Sequence, residues 1–198
     1  MIPTEPDGLQ KLQNENRVLR ETNDALKIEL DFLKLHPVFA AGIRGEALIC
    51  NLLNGKLTSY AESFDVTAGD SKLEVKYSAL GTPVKGSPTL RWSWSKVLGW
   101  KDKGKNYDFL VLVGEKDRRF PDQYKEDTPY VCFLIPRADV ESLMFKGAAI
   151  GGIIQITSNF SKVQNIQGRK LLNYMVCIED IPGLIAQAGA KFASSRRG

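Results

Sequence analysis

The sequence predicts a mixed α/β domain, a central sheet flanked by helices, carried behind an N-terminal coiled-coil helix. Three observations predict it. Leucine recurs at seven-residue spacing from Leu12 to Leu33, and a helix–hairpin–strand–strand–helix order follows Pro37. One nearly unbroken apolar run, Tyr107 to Val113, has the character of a strand buried on both faces. The expected division is 1–36 for the helix and 37–198 for the domain.

The N-terminal helix is justified by its heptads. Leu12, Leu19, Leu26 and Leu33 occupy position d, and Leu9, Asn16, Asn23 and Leu30 occupy position a. Leucine at d suits a parallel two-stranded coil, and asparagine at a sets register and strand number by pairing across the axis. Glu15 at g meets Arg20 at e of the other chain, a favourable match of sign. No Gly or Pro interrupts Leu9 to Leu35, and Pro37 stops the helix. Leu12, Asn16, Leu19, Asn23, Leu26 and Leu33 are therefore the expected dimerisation residues of a parallel homodimer. Val18, Ile28 and Phe32 lie off this seam and leave open an amphipathic helix packed on its own domain.

Beyond Pro37, Ala40 to Leu53 has helical spacing and ends at Asn54-Gly55. Two strands, about Ser63 to Ala68 and Lys72 to Ala79, turn at Gly69-Asp70. Gly81 to Pro88 reads as a loop, and Trp92 to Trp100 as a short helix or irregular chain. Tyr107 to Val113 and Tyr130 to Ile135 are strands, the second stopped by Pro136, and Arg137 to Phe145 is a helix. Ile150 to Ile156 and Leu171 to Ile178 read as later strands, and Pro182 to Phe192 as a terminal helix.

Composition removes several chemistries. Cys50, Cys132 and Cys177 are odd in number and embedded in apolar runs, as reduced core thiols of a cytoplasmic protein are. No CxxC, HExxH or phosphate-loop spacing occurs, and His36 is the single histidine. No stretch approaches the ~18 apolar residues of a membrane span, and Met1 to Gln10 lacks the order of a secretory signal. Any enzyme here must work with carboxylates and lysines.

The hairpin supplies them. In Lys72-Leu-Glu-Val-Lys-Tyr-Ser-Ala79, Leu73, Val75, Tyr77 and Ala79 share one face, and Lys72, Glu74, Lys76 and Ser78 the other. A turn at Gly69-Asp70 brings Asp65 beside Glu74 across the pair. Two carboxylates and a lysine then converge, as metal-assisted phosphodiester hydrolysis requires. A second match, Asp70-Ser-Lys72, sits at the hairpin tip, where Gly-Asp is ordinary turn material.

On these residues the chain resembles the PD-(D/E)xK nuclease superfamily, the restriction-endonuclease-like fold. The resemblance rests on Asp65, the short hairpin, Glu74-Val-Lys76, and an upstream helix carrying Gly45-Glu46. Arg91-Trp-Ser-Trp94 and Tyr107 to Gly114 look like the stretch that follows, so about Ala40 to Pro136 is covered. Phe64 stands where the naming proline would. The resemblance implies Mg²⁺ (or Mn²⁺) held by Asp65, Glu74 and the Val75 carbonyl, and Lys76 activating water. It also implies Glu46 approaching from the helix, for a second metal.

Net charge is +4, but residues 1–36 carry five Lys or Arg against seven Asp or Glu, a net of −2, so the rest carries +6. Lys85, Arg91, Lys96, Lys101, Lys103 and Lys105 cluster after the hairpin against one acid, Asp102, interleaved with Trp92, Trp94 and Trp100. Such residues neutralise phosphates. Arg91, Lys96, Lys85, Lys101 and Lys103 are the expected DNA contacts, Trp94 belongs to the core, and Arg118-Arg119 and the tail Lys191 to Arg197 are further candidates. The expectation is a dimeric, Mg²⁺-dependent endonuclease of restriction type acting on double-stranded DNA. The alternatives are a silent DNA-binding module of the same fold and a structure-specific repair or recombination nuclease.

Overall fold

The computed structural model describes residues 6–35, 37–59, 62–82, 88–100, 103–124, 126–145 and 151–195. The chain divides into two compact units, Met1–Ala40 and Ala41–Gly198. Helix α1 (Pro6–Leu35) makes up most of the first. Every residue from Gln10 to Ile28 is exposed, including the seam leucines Leu12 (58%), Leu19 (60%) and Leu26 (56%). Arg17 pairs with Glu21 along the helix at 3.5 Å, and the Asn16 amide donates to the Leu12 carbonyl at 3.1 Å. The side chains of Leu9, Leu30 and Leu33, and His36 itself, lie outside the described residues.

Helix α2 (Pro37–Leu52) ends as the Asn-Gly step foretells. Asn54 turns left-handed (φ 47°), the Gly55 N–H returns to the Cys50 carbonyl at 2.9 Å, and the Asn54 N–H to Asn51 at 3.2 Å. That is a Schellman close. Gly55 is also obligatory in space, because a Cβ there would stand 2.4 Å from the Thr67 carbonyl. The remaining elements are β1 (Lys56–Leu57), β2 (Val66–Ala68), β3 (Ser71–Ser78), β4 (Arg91–Ser95), β5 (Gly99–Trp100), β6 (Lys103–Gly104), β7 (Phe109–Glu115), β8 (Tyr130–Pro136), α3 (Val140–Leu143), β9 (Ile153–Thr157), α4 (Ile166–Leu172), β10 (Met175–Val176) and α5 (Ile181–Ser195).

The central sheet is mixed, in the order β1-β2-β3-β7-β8-β10, with β3 and β7 parallel and the other neighbours antiparallel. Both faces are covered, which explains the unbroken apolar run of β7. On one face Leu73, Val75, Val111 and Val113 pack with Ile49 of α2 and Ile181 and Ile185 of α5. On the other, Leu110, Leu112 and Phe133 pack with Trp92, Trp94, Ile154 and Ile156 of a second, two-stranded sheet, β4–β9. No helix among the described residues is long and apolar enough to cross a membrane.

Three expectations are corrected. Trp92 to Trp100 is neither helix nor irregular at its start: β4 alternates buried Trp92 and Trp94 with exposed Ser93 and Ser95, a period of two. Leu171 and Leu172 end helix α4, which Asn165 caps by accepting the Gly168 N–H at 2.5 Å, and only Met175–Val176 is strand. The first hairpin strand is shorter than expected, starting at Val66, so Asp65 lies in the bend before it. Most of the loop Gly81 to Pro88 lies outside the described residues. Cys50, Cys132 and Cys177 form no disulfide among the described residues, and burial pushes the Cys132 thiol up to about 12.

A carboxylate network seats the second sheet. Asp117, buried after β7, accepts from the Arg119 guanidinium at 2.6 and 2.8 Å and from the Ser158 hydroxyl at 2.7 Å, while Arg119 reaches the Pro88 carbonyl at 3.0 Å. The Arg119 bonds first, then that of Ser158, hold the carboxyl down at about 2 against the opposing effect of burial. A depressed folded value contributes stability present above the unfolded carboxylate range and lost as pH falls through about 2. Asp117→Asn should therefore cost about 1–2 kcal/mol in urea unfolding at neutral pH, allowing for the half-open Arg119. The deficit should shrink toward zero near pH 2, and a constant deficit would contradict the assignment.

Candidate active site

Antiparallel pairing of Val66 with Leu73 sets the site. The Asp65 N–H bonds the Leu73 carbonyl at 2.9 Å, and because β2 begins only at Val66, the next donor on β3 is taken by a side chain. The Val75 N–H donates to Asp65 Oδ2 at 2.9 Å. Asp65 is thus held beside Glu74 by the backbone of β3 itself. Phe64, in the proline's place, is a core residue.

Glu74 lies on the face opposite Leu73 and Val75, in register with Leu110 of β7. The second sheet closes over that face, so Glu74 is 0% exposed rather than solvated. Among the described residues neither carboxylate oxygen has a hydrogen bond of good geometry. Each instead meets an ammonium group: Oε1 that of Lys76, in very close contact, and Oε2 that of Lys105 at 2.9 Å. Burial raises the Glu74 carboxyl, and Asp65 adds to it; Lys76 and Lys105 oppose the rise without cancelling it. Burying a charge this way is costly, and such groups concentrate at functional sites.

The two ammonium groups bridge the two acids. Lys76 Nζ also lies 3.2 Å from the Val75 carbonyl and 3.5 Å from Asp65 Oδ2. Lys105 Nζ lies 3.4 Å from Asp65 Oδ1. Burial pulls Lys105 down, but Glu74 and then Asp65 outweigh it and hold the ammonium above the ordinary lysine value. Glu46, half-buried on α2, responds to the same group of charges. Its carboxyl is raised first by burial, then by Asp65 and Glu74, and lowered by Lys76 and Lys105.

The donor set suits a hard divalent cation. Asp65 Oδ2, Glu74 Oε1 and the Val75 carbonyl all lie within 3.5 Å of one point, and a positive charge, the Lys76 ammonium, stands there. Among the described residues no three His, Cys, Asp or Glu side chains form a ready metal cage. A cation would therefore rest on two carboxylates, one carbonyl and water.

The structure brings together Asp65, Glu74, Val75, Lys76 and Glu46. It adds Lys105, which the sequence places in the basic cluster but not at the site. Lys105 arrives because the segment before β7 is tied to the hairpin: the Asn106 N–H bonds Ser63, the Asp108 N–H bonds Lys72, and Asp108 Oδ2 accepts the Lys72 N–H. Asp70 of the rival motif is exposed at the turn. Of the expected DNA contacts, Arg91 lies on β4 and Lys96 directly after it, exposed. Lys85 and Lys101 lie outside the described residues, as does the side chain of Lys103 on β6. Trp92 joins Trp94 in the core, and Arg119 is committed to Asp117. Helix α5 reaches Ser195; the side chains of the tail from Ala190 on lie outside the described residues, as do residues 196–198 entirely.

No protein-family model matches the chain, and a search of curated proteins gives no match. Among solved structures the chain is similar to a bacterial homing endonuclease, I-Ssp6803I. The TM-score is 0.44 at 16% identity, over 78% of this chain and 95% of that one.

Proposed function

We propose that the chain is a Mg²⁺-dependent DNA endonuclease of restriction type, dimeric through a parallel coiled coil of α1. The observation that carries the reading is Glu74, a fully buried carboxylate whose oxygens are answered, among the described residues, only by the Lys76 and Lys105 ammonium groups, with Asp65 on the same two cations. A core designed for stability alone would place an apolar residue there, because a buried ion pair is at best neutral against a well-packed hydrophobic substitute. Alternating acids and lysines fit a site that must bind a cation and a phosphate in turn.

In this reading Asp65, Glu74 and the Val75 carbonyl would hold Mg²⁺, which would supply polarisation of the phosphate and a more acidic water. Lys76, which is partly open to solvent, orients the attacking water and stabilises the charge that grows on the phosphate oxygens. Lys105 offsets the second negative charge at the site. Glu46, a raised carboxyl on the same cluster, is placed to take up a proton or to serve a second cation.

The test is plasmid DNA incubated with the protein in Mg²⁺, in EDTA, and with Lys76→Ala. Discrete fragments from wild type in Mg²⁺ alone are expected, with cleavage by the variant lower by about 10²–10⁴-fold. A smear would favour a nuclease indifferent to sequence. DNA shifted but uncut under every condition would reject the enzyme and leave a binding module.

A further inference from the structure

We propose that the β4–β9 ribbon is the surface that reads base sequence, laid into the major groove of the duplex cut by the Asp65–Glu74–Lys76 site. The inference rests on the nuclease reading above and goes beyond it by assigning specificity to named residues.

The ribbon has two unlike faces. Inward, Trp92, Trp94, Ile154 and Ile156 are buried, and the two indole N–H groups donate to carbonyls of β7, Trp92 to Glu115 at 2.8 Å and Trp94 to Val113 at 3.0 Å. Gly114 leaves room for Trp92, whose Nε1 would lie 2.7 Å from a Cβ at that position. The ribbon is thus bolted to the central sheet.

Outward, the register sets Arg91 across from Thr157, Ser93 across from Gln155, and Ser95 across from Ile153. This row contains no Lys, Glu or Asp, the residues that usually populate a solvated strand face. It consists of neutral donors and acceptors, one guanidinium and one aliphatic group. Gln155 Nε2 donates to Ser93 Oγ at 3.0 Å, which orients the amide and leaves its oxygen and second N–H directed elsewhere. Among the described residues Arg91 has no carboxylate partner. These are the groups that discriminate base edges: Arg for guanine, Gln for adenine, hydroxyls for either, an aliphatic group for the thymine methyl. A two-stranded ribbon fits the major groove, about 12 Å wide. Five residues at about 3.3 Å each reach across roughly four or five base pairs.

Position agrees with chemistry. β4 runs back along the end of β3, where the Ser93 N–H donates to Ser78 Oγ at 3.0 Å and Arg91 exchanges hydrogen bonds with Gly81 at 2.9 and 3.1 Å. Ser78 is two residues beyond Lys76 on the same strand. Past the other end of β4, the Leu98 carbonyl accepts the Lys105 N–H at 3.1 Å. The ribbon is therefore tied directly to the segments that carry both site lysines, so base contacts and bond cleavage would come from one rigid scaffold.

The test uses the full chain carrying Lys76→Ala, so that DNA is bound and not cut. Bound duplexes are selected from a randomised library and sequenced, with Gln155→Ala and Arg91→Ala added singly. The parent should select a preferred sequence, and each addition should relax one or two positions by about tenfold. Gln155→Ala should leave the salt dependence of binding unchanged, and both variants should melt with the parent, since these side chains lie outside the core. Preferences unchanged in both variants, or duplex bound by the parent with no base preference at all, would overturn the ribbon assignment while leaving the nuclease intact. Failure of wild type to bind or cut any duplex would reject the nuclease, and the ribbon with it.

Discussion

In metal-free buffer the Glu74→Gln protein should unfold at a higher temperature than the native chain, and in Mg²⁺ it should cut DNA at least about 100-fold more slowly. Glutamine copies the shape of the protonated acid, so the variant reports what the ionised form costs. Burial raises the Glu74 carboxyl, with Asp65 adding, and Lys76 and Lys105 recover only part of that. A raised folded value means that the folded chain prefers the neutral form. The stability associated with that preference is present below the unfolded carboxylate range and is lost as pH rises through the folded value. In EDTA the native protein should therefore lose stability across that interval, and Glu74→Gln should not. Magnesium should then raise the melting temperature of the native chain more than that of the variant, because only the carboxylate gains from the cation. Loss of metal-held charge stabilisation, worth several kcal/mol, sets the kinetic effect. A variant that melts lower in EDTA would show that the lysines, not burial, dominate at Glu74.

The same balance explains what was legible in the sequence. Asp65, Glu74 and Lys76 could be placed together because period-two alternation and one turn determine which residues share a face. Their burial could not be read, since it depends on β4 and β9 crossing over that face, and these strands are 62 residues apart at the Ser93–Gln155 pair. The alternation Trp-Ser-Trp-Ser is present in the chain, but three tryptophans within nine residues read equally as a short helix or irregular chain. Lys105 is legible as one of a basic cluster but not as a partner of Glu74, for a related reason. Nothing local marks it, and it reaches Glu74 only because β7 lies parallel to β3 and its leading segment is anchored at Ser63 and Lys72. Local pattern decided the strands and long-range pairing decided the site, which is the usual division between local propensity and tertiary context.

Leu19→Glu combined with Leu26→Glu should dissociate the proposed dimer into monomers in sedimentation at micromolar concentration. Helix α1 spans 30 residues, and every described side chain from Gln10 to Ile28 is exposed. Most helical stability in proteins comes from packing an apolar face rather than from propensity. Leu12, Leu19 and Leu26, each more than half exposed, form one seam at seven-residue spacing and would be covered by a second copy. Two leucines from each of two chains, at about 1.5–3 kcal/mol apiece, amount to at least about 6 kcal/mol, or roughly four decades in the dissociation constant. Facing glutamates would add repulsion. Asn16→Leu with Asn23→Leu should act differently: it removes the polar pairs that specify two strands, so the oligomer should persist and shift toward higher order. The leucine-to-glutamate pair should also slow double-strand cleavage at low enzyme concentration far more than nicking, because two sites must meet one duplex. A native chain that sediments as a monomer, with cleavage indifferent to the leucine changes, would reject the coiled coil and assign the heptads to another role.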